Sequence, residues 1–278
     1  MLDALLSPLA LGFFRQALVG GLLVAVVCGT LGVFVVLRGM EYIGDAIAHS
    51  VLPGVVVAYL LQGSLFLGGL VSALITAAVI NALSRDGRLR DSTAIGVVFT
   101  GALALGVLVL SATRSYARDL ASLLFGNTLG ISIQDMWLIA ALTVVIVVAV
   151  WLFFKELVAT AFDPTHARKL GLPVNAVRGG LMFALALTIV AGAQAVGVLM
   201  VTALLITPAA TASTLTHRLP RMVALSIGTA VFSVVIGLYG SYYLNVVPGA
   251  AVVLVAALCF LAAYLGTHLR RGRASNAV

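Results

Sequence analysis

The chain has 278 residues, of which 62% are hydrophobic and 9% are charged. This composition excludes an ordinary soluble globular domain and predicts an integral membrane protein. The net charge of +7 does not indicate a nucleic-acid partner, because most basic residues lie in short breaks between apolar runs, where such residues orient a membrane protein.

The apolar runs predict an all-α, polytopic membrane protein with eight or nine transmembrane helices. A helix needs roughly 20 residues to cross the hydrocarbon core. We expect a single transmembrane domain over residues 1–278, since no remaining stretch is long enough for a sizeable soluble domain. The predicted spans are about 13–37, 43–62, 65–83, 94–111, 134–154, 179–195, 196–215, 222–244 and 249–268.

The basic breaks predict the topology. Placing "SRDGRLRD", "DPTHARKLGLPVNAVR", "HRLPR" and "HLRRGR" in the cytoplasm puts residues 112–132 and 245–249 outside and the C-terminus inside. Nine helices would put the N-terminus outside, whereas a merged or re-entrant segment within 179–215 would leave eight and put it inside. The first residues lack a basic n-region and an A-x-A site, so we expect no removed signal peptide.

The second span begins with an acid and an imidazole, in "GDAIAHSVLPG" at residues 44–54. On a helix Asp45 and His49 project from one face, and Glu41 is expected on the same stripe. Burying ionisable groups in a membrane protein costs several kcal/mol unless they pair, meet water or bind an ion, so this face favours a transport path or a binding site. The alternatives are a hydrogen bond that pins two helices, a proton relay, and a position at the headgroup level.

A carboxylate and a neutral imidazole suit first-row divalent metals, including zinc and manganese, but two ligands are an incomplete shell. An incomplete shell suits a transporter, because the ion has to be released. If two copies of the chain met around a two-fold axis, two Asp45 and two His49 side chains would supply four ligands.

Two prolines are candidate helix hinges. Pro53 removes the backbone donor for the His49 carbonyl, so a kink beside the polar pair is a candidate gate. Pro208, in "LLITPAATA", does the same to the Leu204 carbonyl. The alternative there is a static kink in a packed helix.

The break "FDPTHARKLGLP" carries the signals of a short capped helix. Asp163 is placed as its N-cap, Pro164 as its first residue, Gly171 as its terminator and Pro173 as a stop, which together predict a helix of about seven residues. So short a helix is marginal alone. It is either a capped surface turn between two spans or a docking element for a cytoplasmic partner.

The sequence excludes several catalytic classes. G-x-x-x-x-G-K-[ST], H-E-x-x-H and G-x-S-x-G do not occur, so we expect neither ATP binding by a P-loop nor the common protease and hydrolase chemistries. An enzyme using Asp45 and His49 as acid and base would need a third polar partner within a span. We therefore expect no catalytic residues and no permanently bound cofactor.

The remaining histidines and the cysteines do not predict a site. We expect His166, His217 and His268 at the surface, since they lie in the basic breaks or at the end of the last span. Cys28 and Cys259 are single and lie in apolar runs, which supports neither a disulfide framework nor a thiolate metal site.

Five blocks, in order along nearly the whole chain, resemble the membrane permeases of bacterial ABC importers for zinc, manganese and ferrous iron. They are "LRGMEYIGDAIAHSVLPGV" (37–55), "DSTAIGVVFTGALALGVLVLS" (91–111), "DLASLLFGNTLGIS" (119–132), "FKELVATAFDPTHARKLGL" (154–172) and "VGVLMVTALLITPAATAS" (196–213). The resemblance implies a multi-pass protein of the bacterial plasma membrane.

The resemblance also implies partners and sites. Permeases of this family form a homodimer, dock a separate cytoplasmic ATPase through a coupling helix and receive metal from an extracytoplasmic binding protein. The segment 163–171 matches the coupling region, where we expect changes in Ala167, Arg168 or Leu170 to weaken partner binding, and Asp45 and His49 match the metal path.

The sequences "LRGM", "LFGN", "FKEL" and "ITPAATA" are more similar to those of manganese and iron importers than to those of zinc importers, which favours Mn²⁺ as the transported ion. Zinc or ferrous iron is the alternative within the family. Outside it, the alternative is a proton-coupled carrier or a channel that acts without an ATPase.

Overall fold

The computed structural model describes residues 7–84, 89–112 and 133–275, and in these ranges the chain is helical and contains no strand. The expected outer loop at 112–132, and with it the block at 119–132, lies outside the described residues apart from Ala112. We number the helices α1 Gly12–Leu37, α2 Ile43–Leu60, α3 Leu65–Leu83, α4 Asp91–Ala112, α5 Ile133–Leu152, α6 Phe154–Phe162, α7 Pro164–Lys169, α8 Val174–Val196, α9 Val198–Leu215, α10 Leu219–Leu244 and α11 Pro248–Ser275.

The membrane architecture is confirmed. Within the described ranges, eight helices are long and apolar enough to cross a membrane, namely α1 to α4 and α8 to α11. Met136–Leu152 and Phe154–Phe162 together form a ninth candidate span, bent by 67°. The helix α6 was not predicted, because Lys155 and Glu156 interrupt the apolar run at its start.

The structure favours the two separate spans expected within residues 179–215 over the alternative of a merged segment. The chain forms two separate helices there, each long enough to span, and they meet at Gly197. Gly197 has φ +90° and ψ 150°, a backbone conformation that essentially only glycine adopts, so the helix ends instead of continuing.

The core surrounds α1. In the most apolar stretches of the spans, 72% of α1 and 67% of α8 are buried, against 17% of α4 and of α11. The helices α5, α8, α9 and α10 pack on α1, whereas α2 packs mainly on α3 and α4. The molecule therefore has a buried centre and a peripheral group of helices that includes α2 and α4.

Small residues hold α2 against α3. A side chain at Gly54 would collide with the Gly68 carbonyl and lie 2.5 Å from the Cβ of Ser72. The Ser72 hydroxyl donates a hydrogen bond of 2.6 Å to the Ser50 carbonyl. Small residues at such spacing let helix backbones approach closely in lipid, where the hydrophobic effect does not drive helices together. This contact sets the position of the helix that carries Asp45 and His49.

Candidate metal site and coupling helix

A tight turn delivers the chain from α1 to α2. Gly39, with φ +65°, follows the last turn of α1, its N–H donates to the Val36 carbonyl, and the Met40 N–H donates to the Val35 carbonyl. These two bonds form a Schellman motif, which satisfies carbonyls at a helix C-terminus. The block "LRGM" is this turn, and it places the start of α2 close to the end of α1.

The expected position of Glu41 on the helical stripe is wrong. Since α2 begins at Ile43, Glu41 lies in the turn before the helix and does not extend the face of Asp45 and His49. The spacing rule assumed helical backbone as far back as residue 41, and the Gly39 turn interrupts it. The polar face of α2 therefore begins at Asp45.

Asp45 and His49 both lie within α2, one helical turn apart and half-buried. The His49 ring meets the Phe99 ring of α4 edge to face, with centroids 5.4 Å apart and planes at 68°. On the other side of this turn, Gly44 faces Thr202 and Leu205 of α9. Among the described residues, neither Asp45 nor His49 has a hydrogen-bond or ion-pair partner.

His49 lies in the second turn of α2, whereas Asp45 lies in its first turn. Phe99 is eight residues into α4, which at about 1.5 Å per residue is about 12 Å from the helix start. The His49 ring therefore meets α4 about two turns beyond its start, and the headgroup position stays one of the alternatives for the pair.

A single chain does not complete a metal shell in the part that the structure describes. No group of three or more His, Cys, Asp or Glu side chains there could hold an ion. As metal ligands, Asp45 and His49 would therefore need water or a second chain to complete a shell.

Both candidate hinge prolines lie inside unbroken helices. The helix α2 continues past Pro53 to Leu60, and α9 continues past the buried Pro208 to Leu215. Pro53 faces Gly106 of α4, which lies two helical turns after Phe99. Their role as hinges stays a prediction.

The capping predicted for the short helix is confirmed. α7 has six residues, and one carboxylate oxygen of Asp163 accepts hydrogen bonds from the Thr165 and His166 N–H groups at 2.9 and 2.8 Å. At the other end Gly171 has φ +79°, and the N–H groups of Gly171 and Leu172 close a second Schellman motif. Both ends of α7 are thus fixed by local bonds.

The residues expected in coupling are placed differently on α7. Ala167 is buried and packs α7 against the bundle, so it does not offer a surface to a partner. Arg168 and Leu170 are exposed, Leu170 by 64%, and so are Asp163 and Pro164. Phe162, exposed by 65% at the end of α6, lies beside this segment. Sequence reasoning missed Phe162, although an aromatic residue directly before an N-cap was a usable signal.

The surface histidines and the cysteines follow the expectations. His166, His217 and His268 are exposed, Cys28 is buried, and both cysteines are free thiols. None of them joins the polar pair on α2.

Comparison with known proteins supports the resemblance along the whole chain. A family model described as the ABC 3 transport family matches residues 10–267. The chain is 41% identical over 256 residues to the manganese transport system membrane protein MntC of Halalkalibacterium halodurans, which covers 92% of this chain and 88% of that protein. It is 38% identical over 275 residues to the chelated iron transport system membrane protein YfeD of Yersinia pestis, which covers 97% and 91%.

A solved structure shares the fold. PsaBC from Streptococcus pneumoniae in complex with Fab superposes with a TM-score of 0.82, at 37% identity and over 95% of each chain. The helical spans, the match to the family model and these relatives agree, and the multi-pass topology is that of a bacterial plasma-membrane permease. The chain belongs to the ABC 3 transport family.

Proposed function

We propose that this chain, as one permease domain over residues 1–278, is the transmembrane subunit of an ATP-driven importer of divalent metal ions, with Mn²⁺ as its main substrate. The observation that carries the proposal is the half-buried pair of Asp45 and His49, which lies inside an apolar span without a protein partner among the described residues. An ionisable pair in that position is expensive unless an ion or water compensates it.

Manganese is favoured by the residues of the five sequence blocks that resemble the family and by relatives whose names state manganese transport. The carboxylate oxygen of Asp45 is a ligand that suits Mn²⁺, whereas the imidazole nitrogen of His49 suits Fe²⁺ and Zn²⁺. Two ligands per chain hold the ion weakly enough for release, so the ion is a substrate and not a resident cofactor.

A second copy of the chain supplies the missing ligands in this proposal. Within the described residues no third ligand lies near the pair, and a two-fold arrangement would bring two Asp45 and two His49 side chains together. Neither side chain is fully buried in the single chain, so each keeps a surface for a partner. The homodimer thereby completes the shell.

A separate cytoplasmic ATPase supplies the energy, because this chain has no nucleotide-binding motif. The exposed apolar side chains of Phe162 and Leu170 flank the basic residues Arg168 and Lys169 on α7. This surface fits an apolar groove with an acidic rim. Asp163, Pro164 and Gly171 serve the coupling by holding α7 in shape. An extracytoplasmic metal-binding protein delivers the ion at the opposite end of the bundle, by the resemblance to the family.

Ferrous iron is the second candidate substrate, since relatives named for iron transport are 36% and 38% identical to this chain. Zn²⁺ also binds carboxylate and imidazole ligands, but it has no comparable support in the sequence blocks. A proton-coupled carrier would use the same Asp and His without an ATPase.

Uptake by the reconstituted complex tests the proposal. Proteoliposomes with permease, ATPase and binding protein should accumulate radioactive Mn²⁺ only with ATP, and excess Mn²⁺ should compete more strongly than equal Zn²⁺ or Fe²⁺. Stronger competition by Fe²⁺ would reassign the metal within the same mechanism. Equal flux without ATP would falsify the ATP-driven mechanism.

A further inference from the structure

A second group of polar side chains lies at the end of the bundle that carries α7. We call Arg38, Asp91, Glu156, Thr160 and Arg178 the inner polar cluster. Arg178 pairs with Asp91 at 2.6 Å and also donates to the Ser84 carbonyl at 3.3 Å. Arg38 donates to the Thr160 hydroxyl at 2.7 Å. These contacts join segments that are 87 to 122 residues apart in sequence.

The two halves of the cluster interact electrostatically. Burial, together with the smaller effect of Arg178, lowers the pKa of the Arg38 guanidinium to about 10, and Asp91 acts in the opposite direction. Arg38 remains protonated at neutral pH. Two guanidinium groups and one carboxylate therefore share one partly buried region, where charges are weakly screened.

The cluster flanks the short helix on both sides. Thr160 lies in α6, three residues before the N-cap of α7, and Arg178 lies in the second turn of α8, which follows α7. A displacement of α7 has to carry both residues with it, because α7 is only six residues long and capped at both ends.

Each half of the cluster binds a helix that reaches the polar pair. Arg38 ends α1 and is joined by the tight turn at Gly39 to α2, where Asp45 is seven residues further on. Asp91 begins α4, the helix whose Phe99 contacts the His49 ring. Before α7, Thr160 is bonded to Arg38, which the tight turn joins to α2. After α7, Arg178 is bonded to Asp91 of α4, the helix that packs on His49.

The cluster also has unused hydrogen-bonding capacity. Arg38 Nε, Arg178 Nε, Ser84 Oγ and Glu156 Oε2 are buried without a partner among the described residues. Glu156 lies one turn before Thr160 on α6, so both face the same side as the Arg38 contact. A shift of α6 along α1 would let Arg38 exchange the Thr160 hydroxyl for the Glu156 carboxylate without losing all its partners.

From these contacts we propose that the inner polar cluster is the mechanical link that transmits movement of α7 to α2 and α4, and so opens and closes the path at Asp45 and His49. Arg38, Thr160, Arg178 and Asp91 act as positioning residues in this proposal, because the contacts that they make join helices of this chain to one another. This inference rests on the proposed function, and it adds the residues through which ATP hydrolysis reaches the metal path.

The test measures metal ions transported per ATP in the reconstituted complex. Arg178→Ala and Thr160→Val should leave ATPase co-purification and ATP hydrolysis in place but lower the ratio about fivefold or more, the size of an ordinary coupling between two sites. Arg178→Lys, which keeps the charge opposite Asp91, should retain most of the ratio. Thr229→Val is the matched control, because that hydroxyl bonds only a carbonyl of its own helix.

Wild-type ratios in both Arg178→Ala and Thr160→Val would overturn the link. If Arg178→Ala does not assemble, Thr160→Val decides alone, since valine keeps the shape of threonine and removes only the hydroxyl. The proposed function is tested separately in the same assay, because Asp45→Ala removes a metal ligand and leaves the cluster untouched. Normal uptake in Asp45→Ala would refute that site without bearing on the ratio in Thr160→Val.

Discussion

The molecule has two polar regions inside an apolar helix bundle, and they differ in whether their side chains have partners within the protein. The inner polar cluster is paired: Arg178 bonds Asp91 and Arg38 bonds Thr160. Asp45 and His49 on α2 have no such partner among the described residues, and the His49 ring contacts the Phe99 ring of α4.

The difference indicates that the inner polar cluster keeps its contacts within the protein, whereas Asp45 and His49 are free to bind a passing ion. The cluster joins α6 to the end of α1 and α8 to the start of α4, and breaking the Arg178–Asp91 pair would leave a partly buried charge uncompensated. An unpaired carboxylate and imidazole within a membrane span are costly unless water or an ion binds them. The comparison predicts that the first region sets geometry and the second binds the transported ion.

Removing the unpaired groups should have the largest effect. Asp45→Ala and His49→Ala should each abolish Mn²⁺ uptake by the reconstituted complex, because each deletes one of two ligands per chain. Thermal unfolding and ATPase co-purification should stay at wild-type values, since neither side chain bonds the described protein. His217→Ala, an exposed histidine far from the pair, is the control. Uptake at the wild-type level in both variants would remove the pair from the transport path.

Displacing α2 as a whole should have the next largest effect. Gly54→Val would force a side chain into the Gly68 carbonyl, and overpacking of this kind costs about 1–3 kcal/mol. We expect a lower unfolding temperature in detergent together with reduced uptake. Gly101→Val places the same side chain on α4 where nothing lies within 4 Å, and it should change neither quantity. Equal stability of the two variants would contradict the close contact of α2 and α3.

Weakening the cap of α7 should have the smallest effect. Asp163→Ala removes the acceptor for two backbone N–H groups, a loss of about 1 kcal/mol of local helix stability. Co-purification of the ATPase should fall, whereas uptake through complexes that do assemble should persist. Asp163→Asn keeps a side-chain acceptor and should bind the ATPase as the wild type does. If Asp163→Ala and Asp163→Asn co-purify with equal amounts of the ATPase, the cap does not support partner binding.

Local signals predicted much of this fold, and the reason is that they act over a few residues. Asp163, Gly171 and the apolar runs encode helix ends and spans through hydrogen bonds and hydrophobicity that do not depend on distant contacts. The caps of α7 and the eight long spans of the described residues therefore followed from the sequence, whereas the bent ninth candidate was expected only over residues 134–154 and without α6. The expected stripe through Glu41 failed because a turn at Gly39 interrupts the helical period that the spacing rule assumes.

Tertiary contacts decided the rest. No spacing rule relates Asp91 to Arg178, which are 87 residues apart, or Arg38 to Thr160, which are 122 apart. The sequence by itself determined a helical membrane permease with an acid and an imidazole on one helical face. Only the packing of α2 against α4 decided that this face is half-buried, because burial depends on which helices become neighbours and not on the residues of one helix alone.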